Sequence, residues 1–251
     1  MNDSHPVSPL TTTPEVREFV GDEATRAEKT RALFDAAAPL YDQAEWLTGL
    51  GSGPWYRRRV LHESGLRPGM QVLDVAIGTG LLAREALKII GPTGKLIGLD
   101  PSPGMLAEAR RHLSIETIEA RAESIPLPDG TMDFLSMGYA LRHVSDLAQT
   151  FREFFRVLKP GGRVCLPEIS RPKSALGRFF LRIHLCGLIP FYYRITGRGA
   201  VSKLWIYYWE TIAACAPPET IMENMRAAGF TEVNCKVTLG IFREYTGVKP
   251  G

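Results

Sequence analysis

The sequence predicts an α/β fold: a doubly wound, mostly parallel, Rossmann-like sheet of seven strands, with a helical insertion ahead of the last helix and two closing strands. Three observations carry that expectation. Apolar strand-type runs alternate with helical patterns between residues 70 and 172. The first run, MQVLDVAIGTG (Met70 to Gly80), ends in a glycine turn that opens directly into the helical pattern LLAREALKII. The second, KLIGLD, ends in a carboxylate, Asp100, twenty residues past Gly80.

Glycines at 78 and 80 carry no Cβ, so a ligand can approach the backbone there, and the amides opening the next helix face an anionic group under a favourable dipole. A carboxylate at the end of the neighbouring strand is where a nucleotide cofactor's ribose hydroxyls need a paired acceptor. Gly78-x-Gly80-x-x-Ala83 with Asp100 fits the dinucleotide fingerprint, so a nicotinamide cofactor stays open on this segment alone. A turn serving only strand-to-helix packing would explain the glycines but not the two acids Asp74 and Asp100.

The whole chain, 251 residues and 45% apolar, can bury one sizeable core. Net charge is +3 with the basic residues spread out, which does not suggest nucleic acid. Cys165, Cys186, Cys215 and Cys235 form no CxxC pair, as expected of reduced thiols in a cytoplasm. Residues 1–22 read as a disordered polar tail, and 23–251 as a single domain: N-terminal lid helices 23–65, core 66–172, helical acceptor-site insertion 173–216, closing helix and strands 217–251.

In order, residues 23–45 predict a helix broken near Pro39, followed by Tyr41-Asp42, a glycine-rich turn and a Trp/Arg helix. After Asp100, PSPGMLAEARRHL is a helix capped by Ser102, with Met105 and Leu106 on its inner side. IETIEA is the third strand and MDFLSMGYAL the fourth. VSDLAQTFREFFRVL is an amphipathic helix ended by Lys159-Pro160-Gly161-Gly162, and RVCLPEIS is the fifth strand. Residues 173–215 are helical and rich in aromatics, suited to roofing a pocket or to lying against lipid; Arg178, Arg182, His184 and Arg194 argue against their spanning a bilayer.

Asp74 followed by Ala76-x-Gly78-x-Gly80 resembles the first motif of class I S-adenosylmethionine (SAM) methyltransferases, in which a strand acid lies near the methionine end of the cofactor. Three further segments, ARAESIPLPDGTMD, YALRHVSD and FREFFRVLKPGGRVCLPEISRP, with Phe34 and Tyr41-Asp42 upstream, are more narrowly similar to the ubiquinone/menaquinone-biosynthesis C-methyltransferase family. The similarity covers residues 30–172 well and the rest in outline. It implies that Gly78, Thr79 and Gly80 hold the methionine part of SAM, that Asp100 takes the ribose hydroxyls, that Arg121 and Ala122 sit beside the adenine, and that Gly138 touches the cofactor near the methyl; Met105, on the inner side of its helix, is a further expected cofactor contact. It also implies that Arg142 lies by the reacting ring. His143 replaces the family's usual asparagine, and Glu45-Trp46 an Asn-Asp pair, where the substrate should lie.

Methylating a ring carbon ortho to a phenol needs a base and a cation that favours phenolate, and needs no metal. His143 is the expected base, with Arg142 as the cation, Glu168 as a base or a partner of Arg142, and Tyr41 in the lid. The expected protein is a SAM-dependent methyltransferase acting on a hydrophobic aromatic or prenylated acceptor. It is expected to be cytoplasmic, with peripheral membrane contact and a homodimer among its associations. The alternatives are an NAD(P)-dependent oxidoreductase, weakened because the only Tyr-x-x-x-Lys spacing is Tyr245 to Lys249, and a non-catalytic SAM- or lipid-binding subunit.

Overall fold

A period of two in burial divides the strands between two cores. Val72, Leu96, Phe134 and Cys165 pack on one face of the sheet, and their neighbours Leu73, Ile97, Leu135 and Val164 on the other, so each central strand is apolar on both sides. The computed structural model describes residues 23–49, 51–172, 174–195 and 199–251. The tail expected over 1–22 lies outside the described residues.

Strands β1 (Gln71–Val75), β2 (Lys95–Asp100), β3 (Glu116–Glu119), β4 (Met132–Ser136), β5 (Leu158–Ile169), β6 (Thr231–Thr238) and β7 (Phe242–Val248) form one sheet in the order β3-β2-β1-β4-β5-β7-β6. The first five are parallel, and β7 enters antiparallel between β5 and β6. The order reverses between β1 and β4, and ligands of such sheets bind outside the strand ends at that point.

Helices α1 (Glu23–Gly49) and α2 (Gly53–Glu63) precede β1, α3 (Leu81–Ile90) follows it, α4 (Pro103–His112) follows β2, and α5 (Leu147–Val157) joins β4 to β5. Beyond β5 come α6 (Ala175–Arg182), a π-helical stretch (Ile183–Leu188), α7 (Ile189–Ile195), α8 (Gly199–Ala214) and α9 (Pro218–Ala227). Residues of α2, α3 and α4 cover one face of the sheet, and those of α5 and α9 the other. A third core joins α1 (Ala37) to the insertion through Leu185, Ile189, Tyr193, Leu204, Trp205, Tyr207 and Tyr208. Ser102 caps α4 by accepting from the Met105 amide at 3.0 Å, as its sequence position predicts.

Three boundaries differ from expectation. Helix α1 runs unbroken through Pro39, because its packed face holds it although proline removes one helical donor. Strand β4 stops at Ser136: Tyr139 takes φ +58°, outside strand geometry, and Leu141–His143 form a 3-10 turn. Leu158 belongs to the start of β5, where it pairs with Met132, so the LKPGG run lies in the strand and not in a helix terminus.

Candidate functional site

A cavity of about 560 Å³ opens beyond the C-terminal ends of β1, β2 and β4, between the sheet, α1 and α8. Gly78, Asp100, Met105, Ala122 and Gly138 border one part of it; Phe34, Tyr41, Tyr139, His143, Tyr207 and Tyr208 border the other. Arg121 stands at the side, its guanidinium bonded to Ser145 Oγ at 2.8 Å and to Glu123. Asp74, Thr79, Gly80, Arg142 and Glu168 do not border the cavity. All but Gly80, which carries no side chain, bond or pair with neighbouring side chains: Asp74 with Ser136, Thr79 with Asp42, and Arg142 with Glu168, the partner role expected of that glutamate.

The two glycines have separate jobs. A Cβ on Gly78 would enter open space, whereas one on Gly80 would lie 2.5 Å from Leu113 Cδ1; both have positive φ, +58° and +89°. Gly78 therefore leaves room for a ligand, and Gly80 lets α3 pack under the loop after α4. Gly80→Ala should cost stability with a lowered Tm, while Gly78→Ala should lower cofactor affinity more than Tm; calorimetry of both variants checks this.

Asp100 ties together the loops that follow β1 and β2. Its Oδ2 accepts from the Gly78 amide and its Oδ1 from the Ser102 amide, each at 2.9 Å. Burial pushes its pKa up to about 6, against the help of these amides. Asp74 is buried in the strand, accepts from Ser136 Oγ at 2.6 Å, and is pushed up to about 7 by burial. For both acids the folded pKa exceeds the unfolded one, so their stabilisation is fully present below about pH 4 and is lost as pH rises through 6 and 7. Binding runs the other way. Asp100→Ala should weaken binding of S-adenosylhomocysteine by about 1.5–3 kcal/mol per ribose hydrogen bond lost, and wild-type affinity should fall below about pH 6, both read by titration calorimetry.

Helix α1 is fastened over these loops by two carboxylates. Asp35 Oδ1 accepts from Ser102 Oγ at 2.5 Å and from the Gly104 amide at 2.9 Å. Asp42 accepts from Thr79 Oγ1 at 2.5 Å and pairs with Arg84 at 3.2 Å. Phe34 and Tyr41, one residue back from each, border the cavity. The seven-residue spacing of both pairs puts them on one helix face, and that spacing was the signal available in the sequence for Asp35.

Arg142 and Glu168 form an ion pair at 2.5 Å, both side chains almost wholly buried, and the guanidinium lies 4.8 Å from the Tyr208 ring centre. Tyr208 and Tyr41 join their hydroxyls at 2.6 Å, and burial raises the pKa of each, so both remain protonated donors. His143 reaches the cavity itself. Its Nδ1 is 2.9 Å from Tyr207 Oη, its ring stacks on Tyr207, and Phe34 meets it edge-on. Tyr207 and Tyr208 fall in the insertion expected to form the acceptor site but are not singled out there by the sequence, because an aromatic run on a helix has the same appearance when it packs a core.

The fit to SAM is physical. Gly78 leaves open space above the turn, Asp100 supplies acceptor lone pairs beside it, and buried apolar Met105 and Ala122 flank the place of a flat ring. Sheet order, glycine turn and strand-end acid define a class I SAM methyltransferase fold. A solved SAM-dependent methyltransferase from Aquifex aeolicus superposes with a TM-score of 0.58 at 21% identity, covering 83% of this chain and 97% of its own. The model of the ubiE/COQ5 methyltransferase family matches residues 23–249, across the insertion as well as the core. A ubiquinone/menaquinone biosynthesis C-methyltransferase of Hahella chejuensis is 33% identical over 86% of this chain and 90% of its own length. A demethylmenaquinone methyltransferase of Symbiobacterium thermophilum is 32% identical over 89% and 94%. The chain belongs to the ubiE/COQ5 methyltransferase family and is a SAM-dependent methyltransferase, so the nicotinamide reading falls away.

Proposed function

We propose that the enzyme C-methylates a quinone-type precursor: a phenol or quinol ring with an apolar substituent, met at a membrane surface from the cytoplasm. The observation that carries the reading is the aromatic end of the cavity, where Phe34, Tyr41, Tyr139, Tyr207 and Tyr208 surround His143 beside Gly138. Such a pocket excludes water and takes a flat ring by its faces and edges. The names of the Hahella and Symbiobacterium relatives support the same acceptor class.

Bound SAM supplies an electrophilic methyl group; the chain holds the acceptor in line with it and makes the ring carbon nucleophilic. His143 Nδ1, 2.9 Å from Tyr207 Oη, takes the acceptor's hydroxyl proton through that tyrosine hydroxyl, which gives its own proton to the imidazole as it receives the acceptor's. In the Tyr41–Tyr208 pair one hydroxyl donates to the other, and the remaining O–H donates to the acceptor oxygen as its charge grows. Arg142, one layer back, adds its positive charge through the Tyr208 ring, and Glu168 fixes the guanidinium. After transfer, the proton on the methylated ring carbon passes to water and His143 returns its proton to the ring oxygen, which restores the aromatic phenol and the neutral base.

The test is to incubate the purified protein with methyl-labelled SAM and a lipid extract of its host, and to identify the compound that gains the label. An aromatic, apolar compound is expected. Label found only on water-soluble amines or carboxylates would overturn the reading.

A further inference from the structure

The outer face of the insertion is apolar and uncovered, and we propose that it is a docking surface for an anionic lipid bilayer. The proposal rests on the reading above of an apolar acceptor and names the surface and the lipid chemistry. Helix α6, the π-helical stretch and α7 follow one another without a break from Ala175 to Ile195. Leu185, Ile189 and Tyr193, four residues apart, turn inward to the third core. Leu176, Phe179, Phe180, Leu188, Phe191 and Ile195 lie outside it and are each 58–67% exposed. Single exposed apolar residues are ordinary; six large ones on about six turns of helix are a patch that wants a cover.

Charge selects the occupant. From Ile169 to Trp209 the chain has seven Lys and Arg residues and no Asp or Glu. Arg178, Arg182 and Arg194 lie exposed among the apolar side chains of α6 and α7. A second copy seated on this face by two-fold symmetry would bring one basic surface against another. An anionic headgroup layer attracts Arg178, Arg182 and Arg194, and the long arginine stems allow the aromatic side chains to enter the acyl boundary while the guanidinium groups stay at the headgroups. The third core joins this segment's inner face to Tyr207 and Tyr208, so the docked face and the acceptor end of the cavity belong to one helical unit.

The test uses the full-length protein with vesicles of phosphatidylcholine alone or mixed with phosphatidylglycerol. The wild type should sediment with the mixed vesicles and not with the neutral ones, and added salt should release it. Arg182→Glu with Arg194→Glu should weaken the association about tenfold or more, and Phe180→Ser with Phe191→Ser should weaken it comparably. S-adenosylhomocysteine titration of the same samples should be unchanged, which separates this surface from the cofactor site. No sedimentation with mixed vesicles, or equal sedimentation of wild type and variants, would overturn the proposal. So would a dimer in light scattering that Phe180→Ser returns to monomer, since the face would then belong to a second copy. Loss of cofactor binding in the wild type would count against the methyltransferase reading, while the vesicle result would still decide this one.

Discussion

Replacing His143 with alanine is expected to lower kcat by a factor of about 10²–10⁴, the contribution of a general base. His143 borders the aromatic end of the cavity, oriented by Tyr207 at 2.9 Å and by Phe34 at its edge, whereas the groups expected to hold the adenosyl part of SAM are Gly78, Asp100, Met105 and Ala122. Affinity for S-adenosylhomocysteine should therefore stay the same. Activity of the variant should recover in part at high pH, where the acceptor ionises without help. His143→Asn introduces the residue that the family resemblance implies at this position; full activity in that variant would remove the base role from His143 and pass it to water held by the tyrosine pair.

Breaking the buried ion pair should act on stability first. Glu168→Gln or Arg142→Met leaves one full charge almost wholly buried without its partner, a loss of about 3–5 kcal/mol in urea unfolding. The double variant, which buries neither charge, should lose much less than the sum. The pair is incompletely bonded even in the intact protein, because Arg142 Nε and Glu168 Oε2 have no hydrogen-bond partner. A single-variant loss below about 1 kcal/mol would mean that the two groups are solvated, and Arg142 would then be able to meet the acceptor directly.

What the sequence disclosed follows periodicity and local chemistry. Alternating apolar strands, the Ser102 cap and the glycine turn were legible because each depends on neighbours within a few residues. The end of β4 was not: beyond Ser136 the run MGYAL is as apolar as the strand itself, and the positive φ at Tyr139 shows that the strand does not continue through it. Nor could the sequence tell Gly78 from Gly80. The difference lies in Leu113, which comes from the far end of α4 to fill the space beside Gly80.

Depth within the site was the other hidden quantity. Arg142 and His143 are adjacent, so both were read as facing the acceptor; the 3-10 turn sends one inward to Glu168 and the other to the cavity. Tyr208 covers the guanidinium, and it comes from a helix 66 residues further on. Contacts across such a separation leave no local mark in a single sequence. Asp35 and Asp42 are the intermediate case: their spacing was visible, but the Ser102 and Thr79 hydroxyls they hold belong to other elements.

The most direct measurement offers the enzyme SAM with an isotope-labelled methyl group and a reduced, prenylated quinone precursor lacking one ring methyl, and reads the product by NMR. The label is expected on a ring carbon ortho to a hydroxyl, with turnover lost in His143→Ala and cofactor binding kept. Label on oxygen, or no transfer to this ring while S-adenosylhomocysteine still binds, would contradict it.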